Sequence, residues 1–219
     1  MYKNILITGG STKISFHLKK LINKKYKIFS PTKNEWNLSN PNFSKDKINL
    51  IKKCDKIYLF HSILSNKKHL SKNYKEIQEQ LNTNLLSTIN ICEIALLNNK
   101  NVQIFILGSE SGLKGSFDII YALTKSSIHK YVEERKIFFK NQQLVCIAPS
   151  TIIDAKMTIN RKDKNNVKKS INNNPKKRGL YSKEISKLIY DLSFNNSKYL
   201  SVCTIDLMTS MQTMYINKI

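Results

Sequence analysis

The chain has 219 residues, 41% of them hydrophobic and 24% charged, enough for one sizeable α/β domain and short for two. No stretch approaches about 20 continuous apolar residues, which argues against a helical membrane span, and the first apolar run starts too early to leave room for a signal peptide. A formal net charge of +22 raises the question of a polyanionic partner, yet all but Arg135, Arg161 and Arg178 of the basic residues are lysines, scattered among many Asn and Ile. That pattern reads as AT-rich codon usage rather than as a specific nucleic-acid surface.

In chain order, residues 4–8 read as a buried strand, and Gly9-Gly10-Ser11-Thr12 as a small-residue turn. Ile14, Leu18, Leu21 and Ile22 give the inner face of a first helix. Tyr26–Phe29 reads as a strand stopped by Ser30-Pro31, 34–46 as polar and turn-rich, Lys47–Lys53 as a helix and Lys56–His61 as a strand. A long helical pattern spans Tyr74–Asn98. Val102–Leu107 is a strand ending in Gly108-Ser109-Glu110-Ser111-Gly112, and a helix is predicted from Phe117 to about Phe139. Gln143–Ala148 forms a strand stopped by Pro149. Residues 155–178, basic and poorly periodic, read as a long loop with room for a short helix. Ser182–Leu192 is predicted helical and Tyr199–Leu207 a last strand.

Strand and helix alternate throughout, and the strands are continuously apolar. This predicts a single doubly wound α/β domain over 1–219, with a mostly parallel sheet flanked by helices. Cys54, Cys92, Cys146 and Cys203 lack C-x-x-C spacing and read as reduced thiols, consistent with a cytoplasmic protein. His17, His61, His69 and His129 lack ligand spacing, so no metal site is expected.

Tyr121 and Lys125 stand four residues apart and share a helix face. A cation beside a phenol favours phenolate, and a hydroxyl at a strand end, Ser109, can polarise a carbonyl. Together these are an acid/base device for a carbonyl or alcohol oxygen. Thr8-Gly9, where the first strand meets the first helix, is where an open α/β sheet places phosphate groups.

Taken in order, several pieces resemble the short-chain dehydrogenase/reductase family. They are Ile-Thr-Gly at 7–9, Asn84 on the long helix, and Leu-Gly-Ser-Glu-Ser-Gly-Leu-Lys-Gly at 107–115. Tyr-Ala-Leu-Thr-Lys at 121–125, Ile-Ala-Pro at 147–149 and Thr-Ile-Asp at 204–206 complete the set. The resemblance covers essentially the whole chain. It implies an NAD(P)-binding Rossmann fold and an oxidoreductase in which Ser109 orients the carbonyl and Tyr121 is the general acid/base. Lys125 would lower the Tyr121 pKa and hold the nicotinamide ribose, and Asn84 would carry a relay water. Cofactor contacts would come from Thr8, Gly9, Ser11, Thr12, Lys13, Ile14, Lys33, Asn37, His61, Tyr121, Lys125 and Pro149.

The chain also departs from the family pattern. Lys13 and Ser15 stand where the second and third loop glycines are usual. Lys13 either blocks the backbone's approach to a pyrophosphate or pairs with it. Asn37, in Glu35–Asn40, replaces an acid that usually contacts adenine, and that stretch resembles sugar-modifying relatives. Phe60-His61-Ser62 replaces Asn-Ala-Gly, Ser150 replaces a glycine, and the gap from Ser109 to Tyr121 is one residue short. No acidic residue follows the second strand closely. Ser30 and Lys33 do, which favours NADP over NAD. The expected substrate is an anionic small molecule, a nucleotide-sugar or a 3-oxoacyl carrier, and the expected assembly a homodimer or homotetramer. The alternative is a catalytically inactive dinucleotide-binding or scaffold protein on the same fold.

Overall fold

A computed structural model describes residues 3–65, 73–194 and 200–207; His69 and Tyr199 lie outside them. Six strands, β1 (Lys3–Thr8), β2 (Tyr26–Phe29), β3 (Lys56–Leu59), β4 (Gln103–Leu107), β5 (Gln143–Pro149) and β6 (Val202–Leu207), form one sheet in the order β2-β1-β3-β4-β5-β6. Every pairing is parallel, as the continuously apolar strands predict.

Successive strand residues feed opposite faces. Leu6, Ile57, Leu59, Ile104, Ile106, Leu144 and Cys146 meet α2 (Lys45–Lys52), α4 (Ser87–Asn98) and α6 (Ile119–Glu134) through Ile51, Ile91, Leu96, Ile128 and Val132. Ile5, Ile7, Tyr58, Phe105, Val145 and Ile147 meet α1 (Lys13–Leu21) and α9 (Ser182–Phe194) through Ile14, Leu18, Ile185 and Ile189. Trp36 and Leu38 pack into the first cluster, so the connection after β2 is pinned by apolar burial although it holds no strand.

Register decides where chemistry can gather. Thr8 pairs with Leu59 across β1 and β3, and Leu107 with Ile147 across β4 and β5. The residues just beyond these ends, Gly9, Phe60–Ser62, Gly108–Ser109 and Pro149–Ser150, therefore share one edge. From β1 the chain crosses to β2 on one side and from β3 to β4 on the other, so the crevice between β1 and β3 is the switch point where open α/β sheets bind ligands.

Four elements differ from the sequence reading. The strand expected through His61 ends at Leu59, and the helix expected to Phe139 ends at Glu134. There the Gln142 side-chain oxygen accepts from the Phe138 and Phe139 N–H groups, a local alternative to further helix. The long helix is α3 (Tyr74–Leu81) and α4 joined by a π-helical turn, Asn82–Leu86. The stretch read as a loop at 155–178 carries two helices, α7 (Lys156–Ile159) and α8 (Lys164–Asn173), after a short α5 (Ser111–Lys114) further upstream. α8 buries no residue, and its apolar stripe is only Val167 and Ile171.

Candidate active site

A cavity of about 1290 Å³ opens at the shared strand edge. Ser109, Tyr121 and Lys125 all line it, together with Ser11, Thr12, Lys13 and Ile14 at the start of α1 and Pro149 at the end of β5.

The loop after β1 is built by its glycines. Gly9 has φ +69°, and a Cβ there would stand 2.8 Å from the Phe60 carbonyl carbon. Gly10 is as tight, since a Cβ would lie 2.3 Å from the Ser30 carbonyl oxygen. Thr12 caps α1, its hydroxyl accepting from the Ser15 N–H at 3.2 Å. The Ser15 hydroxyl, where a third glycine would stand, donates to the Gly9 carbonyl at 2.8 Å. The Lys13 and Ile14 N–H groups bond to none of the described residues, and both residues line the cavity. Free amides at a helix N-terminus suit phosphate oxygens, so this first turn fits the pyrophosphate of a dinucleotide. The Lys13 ammonium lies 3.9 Å from Asp154 Oδ2, another residue of the lining, with 55% of the side chain exposed.

Tyr121 and Lys125 lie one turn apart on α6 and are nearly buried. Burial raises the phenol pKa, opposed by hydrogen bonding from Ser109, by the Arg161 charge and by Ser62. The Ser109 hydroxyl, which acts on the phenol, also accepts from the Ser111 N–H at 3.1 Å. Lys125 Nζ donates to the Leu107 carbonyl at 2.7 Å and lies 5.7 Å from the centroid of the Tyr121 ring. Burial draws its own pKa down to about 8. The Tyr121 pKa is raised because desolvation outweighs the Ser109 and Ser62 hydrogen bonds and the Arg161 charge.

Asn84, 1% exposed, sits in the π-helical turn. Its Oδ1 accepts from the Ile63 N–H at 2.8 Å and its Nδ2 donates to the Ile63 carbonyl at 2.9 Å. It clamps the segment after β3 and does not line the cavity. His61 and Thr8 hold each other at 2.6 Å, and His61 Nε2 faces the Ser87 and Thr88 hydroxyls at 3.0 and 3.1 Å. Burial pushes His61 down to about 3, so it is neutral and ties β1 to α4. Thr8, Gly9 and His61 do not line the cavity. Neither do Lys33, which pairs with Glu79 at 3.2 Å, and Asn37, whose side-chain oxygen accepts from the Ser39 N–H and hydroxyl. The Ser30 hydroxyl is buried and finds no hydrogen-bond partner among the described residues.

Two contributors escaped the sequence reading. Asp118, fully buried, caps α6 by accepting from the Tyr121 N–H at 3.1 Å, and its other oxygen accepts from Gln80 Nε2 at 2.6 Å and the Ser65 N–H at 2.8 Å. It sets where Tyr121 begins its helix; an Asp just before an apolar run was the available signal. His129, one turn beyond Lys125, has Nε2 3.4 Å from the Ser109 N–H and is pushed down by burial to about 4. Gly108 makes room for it, since a Cβ there would lie 2.6 Å from both His129 Nε2 and Cys146 Sγ.

No protein-family model and no curated protein matches the sequence. Solved structures do. A short chain dehydrogenase family protein from Francisella tularensis superposes with TM-score 0.78 at 21% identity, covering 94% of this chain and 97% of that one. A short-chain dehydrogenase/reductase (glucose/ribitol dehydrogenase) from Brucella melitensis gives 0.74 at 15%, covering 94% and 95%. ElxO with NADP bound gives 0.72 at 19%, covering 94% and 98%. The fold is the Rossmann-type fold of short-chain dehydrogenase/reductase structures, as the motif order predicts. Among the described residues no helix is long and apolar enough to cross a membrane, and no group of three or more His, Cys, Asp or Glu could hold a metal ion.

Proposed function

We propose that the protein is an NAD(P)-dependent oxidoreductase that interconverts a carbonyl and an alcohol on an anionic small molecule. The observation that carries this reading is that Ser109, Tyr121 and Lys125, from β4's end and α6, line the same cavity as the first turn of α1. A bound nicotinamide would supply the hydride. The Lys13 and Ile14 amides and the Ser11 and Thr12 side chains would hold phosphate, and Pro149 would border the ring site. Tyr121, protonated across the neutral range because burial raises its pKa, gives its proton to the carbonyl oxygen. Ser109 orients that oxygen and hydrogen-bonds the phenolate left behind. Lys125, fixed on Leu107, holds positive charge beneath the site.

NADP is the favoured cofactor, because no acid follows β2 closely to grip a ribose 2′-hydroxyl and Ser30 stands there instead. A subunit pair or tetramer in the cytoplasm is the setting we propose. The second reading is a dinucleotide-binding scaffold without turnover; Lys13 in a glycine's place and Lys33 engaged by Glu79 favour it. NADPH fluorescence titration of the wild type and of Tyr121→Phe separates the two. The enzyme reading expects both to bind and only the wild type to turn over carbonyl compounds. The scaffold reading expects binding without turnover in either.

A further inference from the structure

The segment after β5 supplies a large share of the cavity's lining and so forms a roof to it. Its ends are drawn together: the Ile153 N–H donates to the Leu180 carbonyl and the Leu180 N–H to the Thr151 carbonyl, both at 2.9 Å. The Thr151 and Ser170 hydroxyls meet at 2.8 Å. A compact excursion with closed ends is a built surface, not a slack linker.

Arg161 is the fixed feature of that roof. It is one of three arginines in a chain otherwise supplied with lysine. Its guanidinium lies 4.9 Å from the centroid of the Phe117 ring. Asp163 holds two of its nitrogens, Nε at 2.8 Å and Nη2 at 2.5 Å. The side chain is 18% exposed, and Nη1 donates to none of the described residues. The guanidinium is thus oriented by a ring and a carboxylate, with one nitrogen uncommitted. Its charge reaches the Tyr121 phenol, and Phe117, Arg161 and Lys156 all line the cavity.

The carboxylates that line the cavity are already engaged. Glu110 pairs with Lys114, and Asp154 Oδ1 accepts from the Ser182 N–H and hydroxyl while its Oδ2 faces Lys13. No counter-ion from the lining satisfies the uncommitted side of Arg161 or the Lys156 ammonium. A pre-oriented guanidinium with a free N–H pair recognises oxyanions better than a mobile lysine does.

We infer that Arg161 Nη1, with Lys156, binds an oxyanion of the substrate, a carboxylate or a phosphate, next to the carbonyl served by Tyr121. This rests on the oxidoreductase reading for its meaning, but its test does not need turnover. Oxalate and inorganic phosphate serve as probes of the two sources, titrated by calorimetry at physiological ionic strength into wild type, Arg161→Gln, Arg161→Lys and Lys13→Gln. Thermal melts check that each variant is folded.

The inference expects at least one probe to bind, weakened about tenfold by Arg161→Gln. Arg161→Lys, which keeps the charge and loses the fork, falls between. Lys13→Gln leaves this binding in place. The stronger probe identifies the substrate's anion as carboxylate or phosphate. Binding unchanged by Arg161→Gln, binding lost in Lys13→Gln but kept in Arg161→Gln, or no binding of either probe overturns the inference. NADPH titration of the same proteins reports on the oxidoreductase reading separately: loss of NADPH binding by the wild type removes that reading and leaves the anion result standing.

Discussion

Lys13 Nζ lies 3.9 Å from Asp154 Oδ2, linking the first turn of α1 to the segment after β5 across the mouth of the cavity. The lysine that replaces a loop glycine is thus held by a carboxylate of the same cavity lining. A pair with 55% and 21% side-chain exposure contributes little to stability, so its ammonium is free to exchange a carboxylate for a phosphate.

Lys13→Gln is expected to raise the dissociation constant for NADPH about three- to tenfold, the loss of one phosphate-pairing charge. Fluorescence titration measures it. Tighter binding by the variant would identify Lys13 as an obstruction instead.

Tyr121→Phe removes the proton donor while keeping the ring. Carbonyl reduction should fall by about 10²–10⁴-fold, with NADPH affinity within a factor of about two. Because burial raises the phenol pKa and lowers that of Lys125 only to about 8, the wild-type reduction rate should stay level from pH 6 to 7 and decline on the alkaline side. An alkaline decline that survives in Tyr121→Phe would assign it to another group, Lys125 first, whose pKa burial lowers to about 8.

Asp118 joins the Tyr121 amide to Gln80 and Ser65. Asp118→Ala should lower stability by about 1–2 kcal/mol through the lost cap. It should also reduce turnover, because the start of α6 carries Tyr121. Chemical denaturation and steady-state rates test the two effects; turnover untouched at full folding would show that the cap does not position the phenol.

The buried histidines give the fold an acid limit. His61 is held near 3 and His129 near 4, below the ordinary value of about 6.5. Between those values the unfolded chain binds protons that the native chain does not, so stability is fully present above about pH 6.5 and falls as pH drops toward 4. The expected slope is about 1.4 kcal/mol per pH unit for each histidine. Urea unfolding at stepped pH measures it, and His61→Asn should flatten the slope by about half. An unchanged slope in that variant would contradict the neutral, buried assignment.

Lys56 heads a polar ladder across the N-terminal strand ends. It pairs in register with Gln103, which pairs with Gln143, and its ammonium donates to Gln103 Oε1 and, at 2.6 Å, to the Ser193 carbonyl of α9. Lys56→Met leaves two buried acceptors unsatisfied and should cost about 1–3 kcal/mol. Equal stability in denaturant would show that water replaces the ammonium there.

The parallel sheet was legible because buried parallel strands are written as unbroken apolar runs, and β1, β4 and β5 are such runs. Ser109, Tyr121 and Lys125 were legible for the same reason: in-register strands bring the β4 end and α6 to one edge, so their order in the chain implied their meeting. The relation of Lys125 to the phenol was not, because which carbonyl an ammonium chooses depends on packing around Leu107. α8 was hidden because its apolar stripe is only Val167 and Ile171 among Lys and Asn, and it buries no residue. The roles of His61 and Asn84 went unread since their partners, Thr8 and Ile63, lie 53 and 21 residues away in sequence.

The central claim is that a dinucleotide lies between the first turn of α1 and the Ser109–Tyr121 pair. A crystal structure of the protein with NADP tests it most directly. The account predicts the pyrophosphate on the Lys13 and Ile14 amides and the nicotinamide against Ser109 and Tyr121. A saturated crystal with no dinucleotide in the cavity, or one bound with its ring turned away from Tyr121, would contradict it.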